Sequence, residues 1–173
     1  RDAGMEAWQQ KRPVGLIAAT AYGCLGTDSD YFDSVLPDGG ALASPQLFAY
    51  TLSNTFLGEA AIRFGLTGSG LVVSPAAAPG LTALGLALES MNWGEEDCLV
   101  AGICDLAPPA GVPVIAGVLP GAVFLVLERE PREGAACYGE LSRKSDGRYF
   151  LAGSPVADMA ELAARCLAEV KGV

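Results

Sequence analysis

Apolar and polar positions along the chain switch between a continuous pattern and a helical one. Residues 13–20, PVGLIAAT, are an apolar run that reads as a buried strand, and the Gly-containing stretch AYGCLGTDSD after it reads as a loop. Ser44-Pro45 then opens a helix, since Ser suits the N-cap and Pro the first turn. Leu47, Tyr50, Asn54, Leu57, Ala61 and Phe64 keep close to helical spacing, and Gly65 supplies the stop. GSGLVVS is a second short strand. From Ala78 to Trp93, Leu81, Leu84, Leu88 and Met91 recur with helical period. Leu86 and Ala87 extend the apolar surface nearly around that helix, so it is expected to be central and buried.

Further along, DCLVAGI (97–103) is a third strand, and the Pro- and Gly-rich stretch 107–120 is a loop. GAVFLVL (121–127) is a fourth strand. Two extended runs between Cys137 and Leu151 flank Ser145-Asp-Gly-Arg148, a plausible hairpin turn. Residues 156–171 form an amphipathic helix with Val156, Met159, Leu162, Cys166, Leu167 and Val170 on one side. The order β-α-β-α-β-β-β-β-α predicts an α/β fold: a mixed, mostly parallel sheet covered by helices, with a C-terminal hairpin and helix. No internal repeat or domain boundary is visible, and residues 1–173 read as one domain.

Composition narrows the functions open to such a fold. The chain is 51% apolar and 18% charged, with a net charge of -9. Between residues 21 and 125 there are ten carboxylates and one base, Arg63. That balance argues against nucleic acid and against an anionic membrane surface as partners. No apolar run approaches the ~18 residues of a membrane span, no signal peptide is read, and a cytoplasmic protein is expected. The chain opens at Arg1 without Met, as expected where upstream residues are left out. Cysteines 24, 98, 104, 137 and 166 show no CxxC pair or metal spacing and are expected to be buried, reduced thiols. Histidine is absent. Ser-His and Cys-His activation and most zinc sites are therefore excluded within this chain, and neither a metal nor a cofactor is expected.

Among candidate motifs, GLTGSG (65–70) precedes a strand, the reverse of a dinucleotide-binding context. Glu95, Glu96 and Asp97 read as a solvated turn. Asp105 ends a strand, where either a functional carboxylate or a turn residue would sit. Tyr22, Asn54 and Ser74 are the remaining polar candidates, each with a packing or capping role available. The strongest signal is LVVSPAAAPG (71–80), a tight turn from a buried strand into a buried helix. Such a junction gathers backbone N–H groups and a helix dipole at one point, where an oxyanion or a thiolate is stabilised. Here it offers no reactive side chain except Ser74.

The stretch SPQLFAYTLSNTFLGEAAIRFGLTGSGLVVSPAAAPGLTALGLALESMNWGEEDCLVAGICDLAP resembles the N-terminal half of β-ketoacyl synthases, of the thiolase-like superfamily. PVGLIAATAYG and GAVFLVLERE resemble further strands of that family, so the likeness covers about residues 13–130, with 131–173 a C-terminal hairpin and amphipathic helix. The resemblance implies a thiolase-like half-fold in which Ala77 stands where the family has its nucleophilic Cys. Ser74, Ala76, Ala78 and Gly80 make up the rest of this vestigial elbow. The family's two catalytic histidines belong to its C-terminal half, which has no counterpart here. It also implies association through the strand before the elbow, Gly70-Leu71-Val72-Val73-Ser74.

Three functions follow as expectations. The first is a catalytically inactive subunit of fatty-acid or polyketide assembly, paired with itself or with a ketosynthase-like subunit. The second is a thioester-processing enzyme using Ser74 or a carboxylate. The third is an acyl-chain or acyl-carrier binding module, the chain running along the apolar helix and the carrier docking on Arg143, Lys144 and Arg148.

Overall fold

The computed structural model describes residues 10–115, 118–132 and 135–170. Residues 116–117 of the predicted loop and residue 171 of the predicted last helix lie outside them, as does the side chain of Val170. Strand β1 (Gly15–Ala19) pairs in parallel with β2 (Gly70–Val73) on one side and with β3 (Cys98–Asp105) on the other. Strand β4 (Gly121–Glu128) runs antiparallel to β3, giving the order β2-β1-β3-β4 with β2 at an outer edge. The chain returns from β1 to β2 through α1 (Leu25–Val35), α2 (Pro45–Ala49) and α3 (Thr55–Phe64), and from β2 to β3 through α4 (Pro79–Trp93).

The continuous apolar strands are explained by burial on both faces. Side chains alternate along each strand, so Ile17, Ala19, Leu99 and Ala101 pack under α4, against Ala83, Leu84, Ala87 and Met91. Leu16 and Ala18 face the other way, toward Leu57 of α3. The C-terminal segment forms a small antiparallel sheet of β5 (Leu141–Arg143), β6 (Tyr149–Leu151) and β7 (Ser154–Val156), followed by α5 (Met159–Val170). Tyr149, Leu151, Val156, Met159, Leu162 and Cys166 from this segment join the α4 cluster. Helix α4 thus lies between the main sheet and the C-terminal layer.

That sandwich sets the glycine requirements of α4. A Cβ on Gly85 would stand 2.4 Å from Tyr149 Oη, which donates to the Leu81 carbonyl at 2.7 Å. A Cβ on Gly80 would stand 2.9 Å from Met159 Cβ. The helix is covered nearly all round, as its apolar pattern predicts: residues 79–91 are buried or half-buried, and only Asn92 and Trp93 at its end are exposed.

Several elements depart from the sequence reading. The single helix predicted over residues 44–65 is two helices, because polar side chains divert the backbone between them. Thr51 Oγ1 donates to the Phe48 carbonyl (2.8 Å) and Thr55 Oγ1 to that of Ala49 (2.9 Å), closing α2 before α3 begins. Its predicted ends hold: Ser44 Oγ accepts from Leu47 N at 3.2 Å, and Gly65 is left-handed. The stretch read as a loop after β1 holds the first half of α1, which shows no inward-facing apolar stripe because no residue of that helix is buried. The last helix begins at Met159 rather than 156; Val156 is buried, but in strand β7, and Leu167 is exposed. Strand β7 carries Pro155 at a sheet edge, where a missing N–H is tolerated. Of the five cysteines, Cys166 alone is buried, Cys137 is exposed, and none is in a disulfide.

Candidate functional site

In open α/β sheets, ligands gather outside the carboxyl ends of the parallel strands. Here that edge collects the ends of β1, β2 and β3. Strand β2 stops at Val73, and the chain turns through Ser74, Pro75, Ala76, Ala77 and Ala78 into α4. Ser74, Ala76, Ala77 and Ala78 are exposed. Ala78 adopts a left-handed conformation (φ 43°, ψ 53°) at the N-cap of α4, with no side-chain cap. For an L-residue with a Cβ this costs about 1–2 kcal/mol. Pro79 follows as the first helical residue, and Gly80 is buried against Met159 of α5.

The loop after β1 lies beside this turn, since Thr20 N donates to the Val73 carbonyl at 3.0 Å. It is organised by Asp105, at the end of β3 and 2% exposed. Asp105 Oδ1 accepts from Thr20 Oγ1 (2.7 Å), Ala21 N (2.9 Å) and Tyr22 N (3.0 Å), and Oδ2 accepts from Ala21 N (3.1 Å). Gly23 N in turn donates to Thr20 Oγ1 at 2.8 Å. Tyr22 then reaches outward, its Oη accepting from Ile115 N at 2.7 Å, which ties the loop after β3 to the same edge. A carboxylate held by three donors, two of them backbone N–H groups, acts as a clamp on the loop after β1.

Of the polar candidates, Tyr22, Ser74 and Asp105 share this edge, and Asn54 sits at the start of α3 without a side-chain cap bond. Among the described residues, no base is hydrogen-bonded to Ser74 Oγ. Cys98 and Cys104 are not poised nucleophiles either. Burial, then the Glu128 carboxylate, pushes Cys98 up to about 11, and burial, then Asp105, raises Cys104. No group of three or more metal-ligating side chains occurs among the described residues.

The acidic turn at 95–97 is more than a solvated exterior: Glu96 Oε1 accepts from Ser69 N (2.8 Å), Glu95 Oε2 from Ser90 Oγ (2.9 Å), and Asp97 pairs with Arg129. Of the basic candidates, Arg143 pairs with Glu89 at 2.6 Å and Arg148 with Asp146 at 2.7 Å, while Lys144 Nζ sits 4.3 Å from the Phe150 ring centroid. The face of α4 proposed as an acyl tunnel is packed by the C-terminal layer. An apolar cavity of about 310 Å³ does occur, on the opposite face of the sheet under α3, lined by residues including Leu16, Phe56, Phe64 and Phe124.

The Asp105 clamp was the feature sequence reasoning left undecided. Its signal was there: one carboxylate closing a strand that is otherwise apolar or small from Cys98 onward.

A mostly parallel sheet with helices on both faces, and a strand-to-helix elbow at its carboxyl edge, defines a thiolase-like α/β protein. The chain belongs to the β-ketoacyl synthase family: the model of the β-ketoacyl synthase N-terminal domain matches residues 1–113. It is 28% identical to "Putative polyketide beta-ketoacyl synthase 1" of Streptomyces virginiae over 212 aligned positions, covering 98% of this chain and 50% of that protein. The chain therefore spans about half the length of the curated relative it matches. Since the aligned positions outnumber this chain's 173 residues, the relative carries insertions within the matched region.

Among solved structures, the ishigamide ketosynthase/chain length factor is similar with a TM-score of 0.60 and 20% identity, over 72% of this chain and 38% of the other. A type II polyketide synthase acyl-carrier protein in complex with its ketosynthase bound to the hexaketide gives a TM-score of 0.49 and 23% identity, over 55% of this chain and 24% of that one. No helix among the described residues is long and apolar enough to cross a membrane.

Proposed function

We propose that this chain is a non-catalytic, ketosynthase-like subunit that pairs with a second ketosynthase-like subunit in polyketide assembly. The observation that carries the reading is the elbow itself. Where strand β2 turns into α4, Ala76, Ala77 and Ala78 present only methyl groups to solvent, at the position where the family resemblance puts a cysteine. The left-handed backbone of the turn is kept without a nucleophile to aim. A relative described as a polyketide β-ketoacyl synthase, and a fold shared with a ketosynthase/chain length factor, support the setting.

Pairing through β2 is the second part of the proposal. The strand is an outer edge, and Leu71 is exposed on it. An unpaired apolar edge is a template for a further strand, and a two-fold axis there would pair residues 70–74 with an equivalent strand. Native mass spectrometry of the chain, alone and co-expressed with a polyketide ketosynthase, tests it. A stable heteromer that dissociates in Val72→Pro supports the reading, since Pro adds bulk and removes an N–H on the edge strand. A strictly monomeric chain in both samples overturns it. Incubation with acyl thioesters tests the non-catalytic part: turnover that falls in Ser74→Ala would establish an enzyme instead.

A further inference from the structure

Helix α1 shows a second surface, separate from the elbow and not dependent on how the lost nucleophile is read. At about 100° per residue, Leu25, Phe32 and Leu36 (the C-cap) fall within about 40° of one another on one side of the helix. They are 37%, 60% and 60% exposed. Asp28 and Asp33 border this stripe, each about 60–80° from its centre. The other side of the helix faces α2, with the rings of Tyr31 and Phe48 5.5 Å apart. The usual arrangement is inverted: the apolar stripe points to water, and neither α1 nor α2 contains a buried residue. A two-helix unit without a core of its own gains little from propensity and is completed by what it packs against.

Charge decides what that is. Residues 13–62 hold five carboxylates and no lysine or arginine. Two-fold pairing of this face with itself would set Asp28 and Asp33 against like charges. Head-to-tail pairing would need a basic groove elsewhere on the chain. Among the described residues, Arg129, Arg132, Arg143, Arg148 and Arg165 are each engaged with a carboxylate, and Lys144 lies over the Phe150 ring. Such a groove would have to come from Lys11, Arg12 and Arg63, an arrangement that the oligomer measurement below reads directly. An anionic lipid surface is repelled by the two aspartates. We propose that the outer face of α1 docks a protein partner presenting an apolar groove or helix bordered by lysine or arginine, and not a second copy of this chain.

The test uses synthetic amphipathic helical peptides about three heptads long, with leucine at the core positions and either lysine or glutamate at the flanking ones. Binding to the full chain is read by fluorescence anisotropy at low and high salt. The expected result is binding of the lysine-flanked peptide, weakened by salt, with no binding of the glutamate-flanked one. Phe32→Ser lowers that affinity about tenfold or more, as for an apolar anchor at the centre of an interface. Asp28→Lys/Asp33→Lys inverts the preference between the peptides. Circular dichroism verifies that each variant is folded, and Leu36→Ser serves as a second anchor variant. Equal affinity for the two peptides, no binding of either, or affinity unchanged in both anchor variants overturns the proposal. So does an oligomer of the free chain that falls apart in Phe32→Ser, which would show a second copy on this face.

Discussion

Replacing Asp105 with alanine removes the acceptor for three donors at once: Thr20 Oγ1, Ala21 N and Tyr22 N. Thr20 is 2% exposed, so its hydroxyl has no ready access to water. Ala21 and Tyr22 are half-buried and are partly rehydrated. A buried unpaired donor costs about 1–3 kcal/mol. One full penalty and two partial ones therefore sum to about 3–5 kcal/mol, a large part of the 5–15 kcal/mol that usually separates folded from unfolded domains. Asparagine keeps the shape, and its Oδ1 retains all three donors, so Asp105→Asn is expected to cost only about 1–2 kcal/mol through loss of charge and of the second acceptor. Urea titration reads both values, the midpoint moving while the slope stays constant. In parallel, the Ala21 and Tyr22 amides should exchange faster with solvent in the alanine variant. An alanine variant costing under about 1 kcal/mol, or an asparagine variant costing as much as alanine, would refute the idea that this carboxylate is a backbone clamp.

The other predictions concern the elbow, the glycines and pH. Ala77→Cys places a thiol next to the start of α4, where the helix dipole should lower its pKa; alkylation rate against pH reads this, and an ordinary thiol profile would mean the turn lacks the stabilising geometry. Condensing activity is not expected to return with it. Gly102→Ala would set a Cβ 2.0 Å from the Val123 carbonyl oxygen across the β3–β4 pair, so a loss of about 3 kcal/mol or more, or failure to fold, is expected. Gly58→Ala, in α3 with nothing within 4 Å, should instead stabilise by about 0.5–1 kcal/mol; thermal melts of the two variants moving the same way would contradict the packing. At the start of α5, Glu161 accepts from Ala157 N at 2.8 Å, and that bond, with Arg165, holds its carboxyl below the usual 4.5. Its contribution is present above that value and lost as pH falls through the lower folded one. The melting-temperature gap between the native chain and Glu161→Ala should therefore close in acid, and a gap independent of pH would exclude the carboxylate as its source.

What was legible in the sequence depended on whether an element hides its apolar residues from water. Strands β1, β3 and β4 are apolar runs because both faces of the sheet are covered, and α4 is periodic because it lies between two layers. Helix α1 obeys no such rule, since its leucines and phenylalanine face outward, and two glycines within four residues read as a loop. The break between α2 and α3 was hidden for another reason. Thr51 and Thr55 act through hydroxyl-to-carbonyl bonds that leave the apolar spacing intact, so the pattern ran through a point where the backbone does not. The site divided in the same way. The elbow was visible as an ordered set of residues, whereas the Asp105 clamp joins positions 85 residues apart and depends on a pairing of β1 with β3 that no local pattern reports.

The left-handed residue at Ala78 shows how the distant parts depend on one another. Glycine would adopt that conformation with less strain, yet alanine stands there, so packing on either side must hold the turn in place. On one side, Val73 is tied to Thr20, and through Thr20 to Asp105. On the other, Pro79 fixes the first helical φ, and Gly80 admits Met159 of α5 to within contact of the helix start. The C-terminal layer, outside the stretch matched by the family model, is therefore one of the walls that keep the elbow in shape. Shortening Met159 to Ala should loosen the α4 start, reading out as faster amide exchange at Thr82, whose N–H donates to the Ala78 carbonyl, and at the residues after it, while the Asp105 loop keeps its protection. If both segments loosen together, the clamp and the C-terminal layer act as one cooperative unit; if neither does, α5 does not support the elbow.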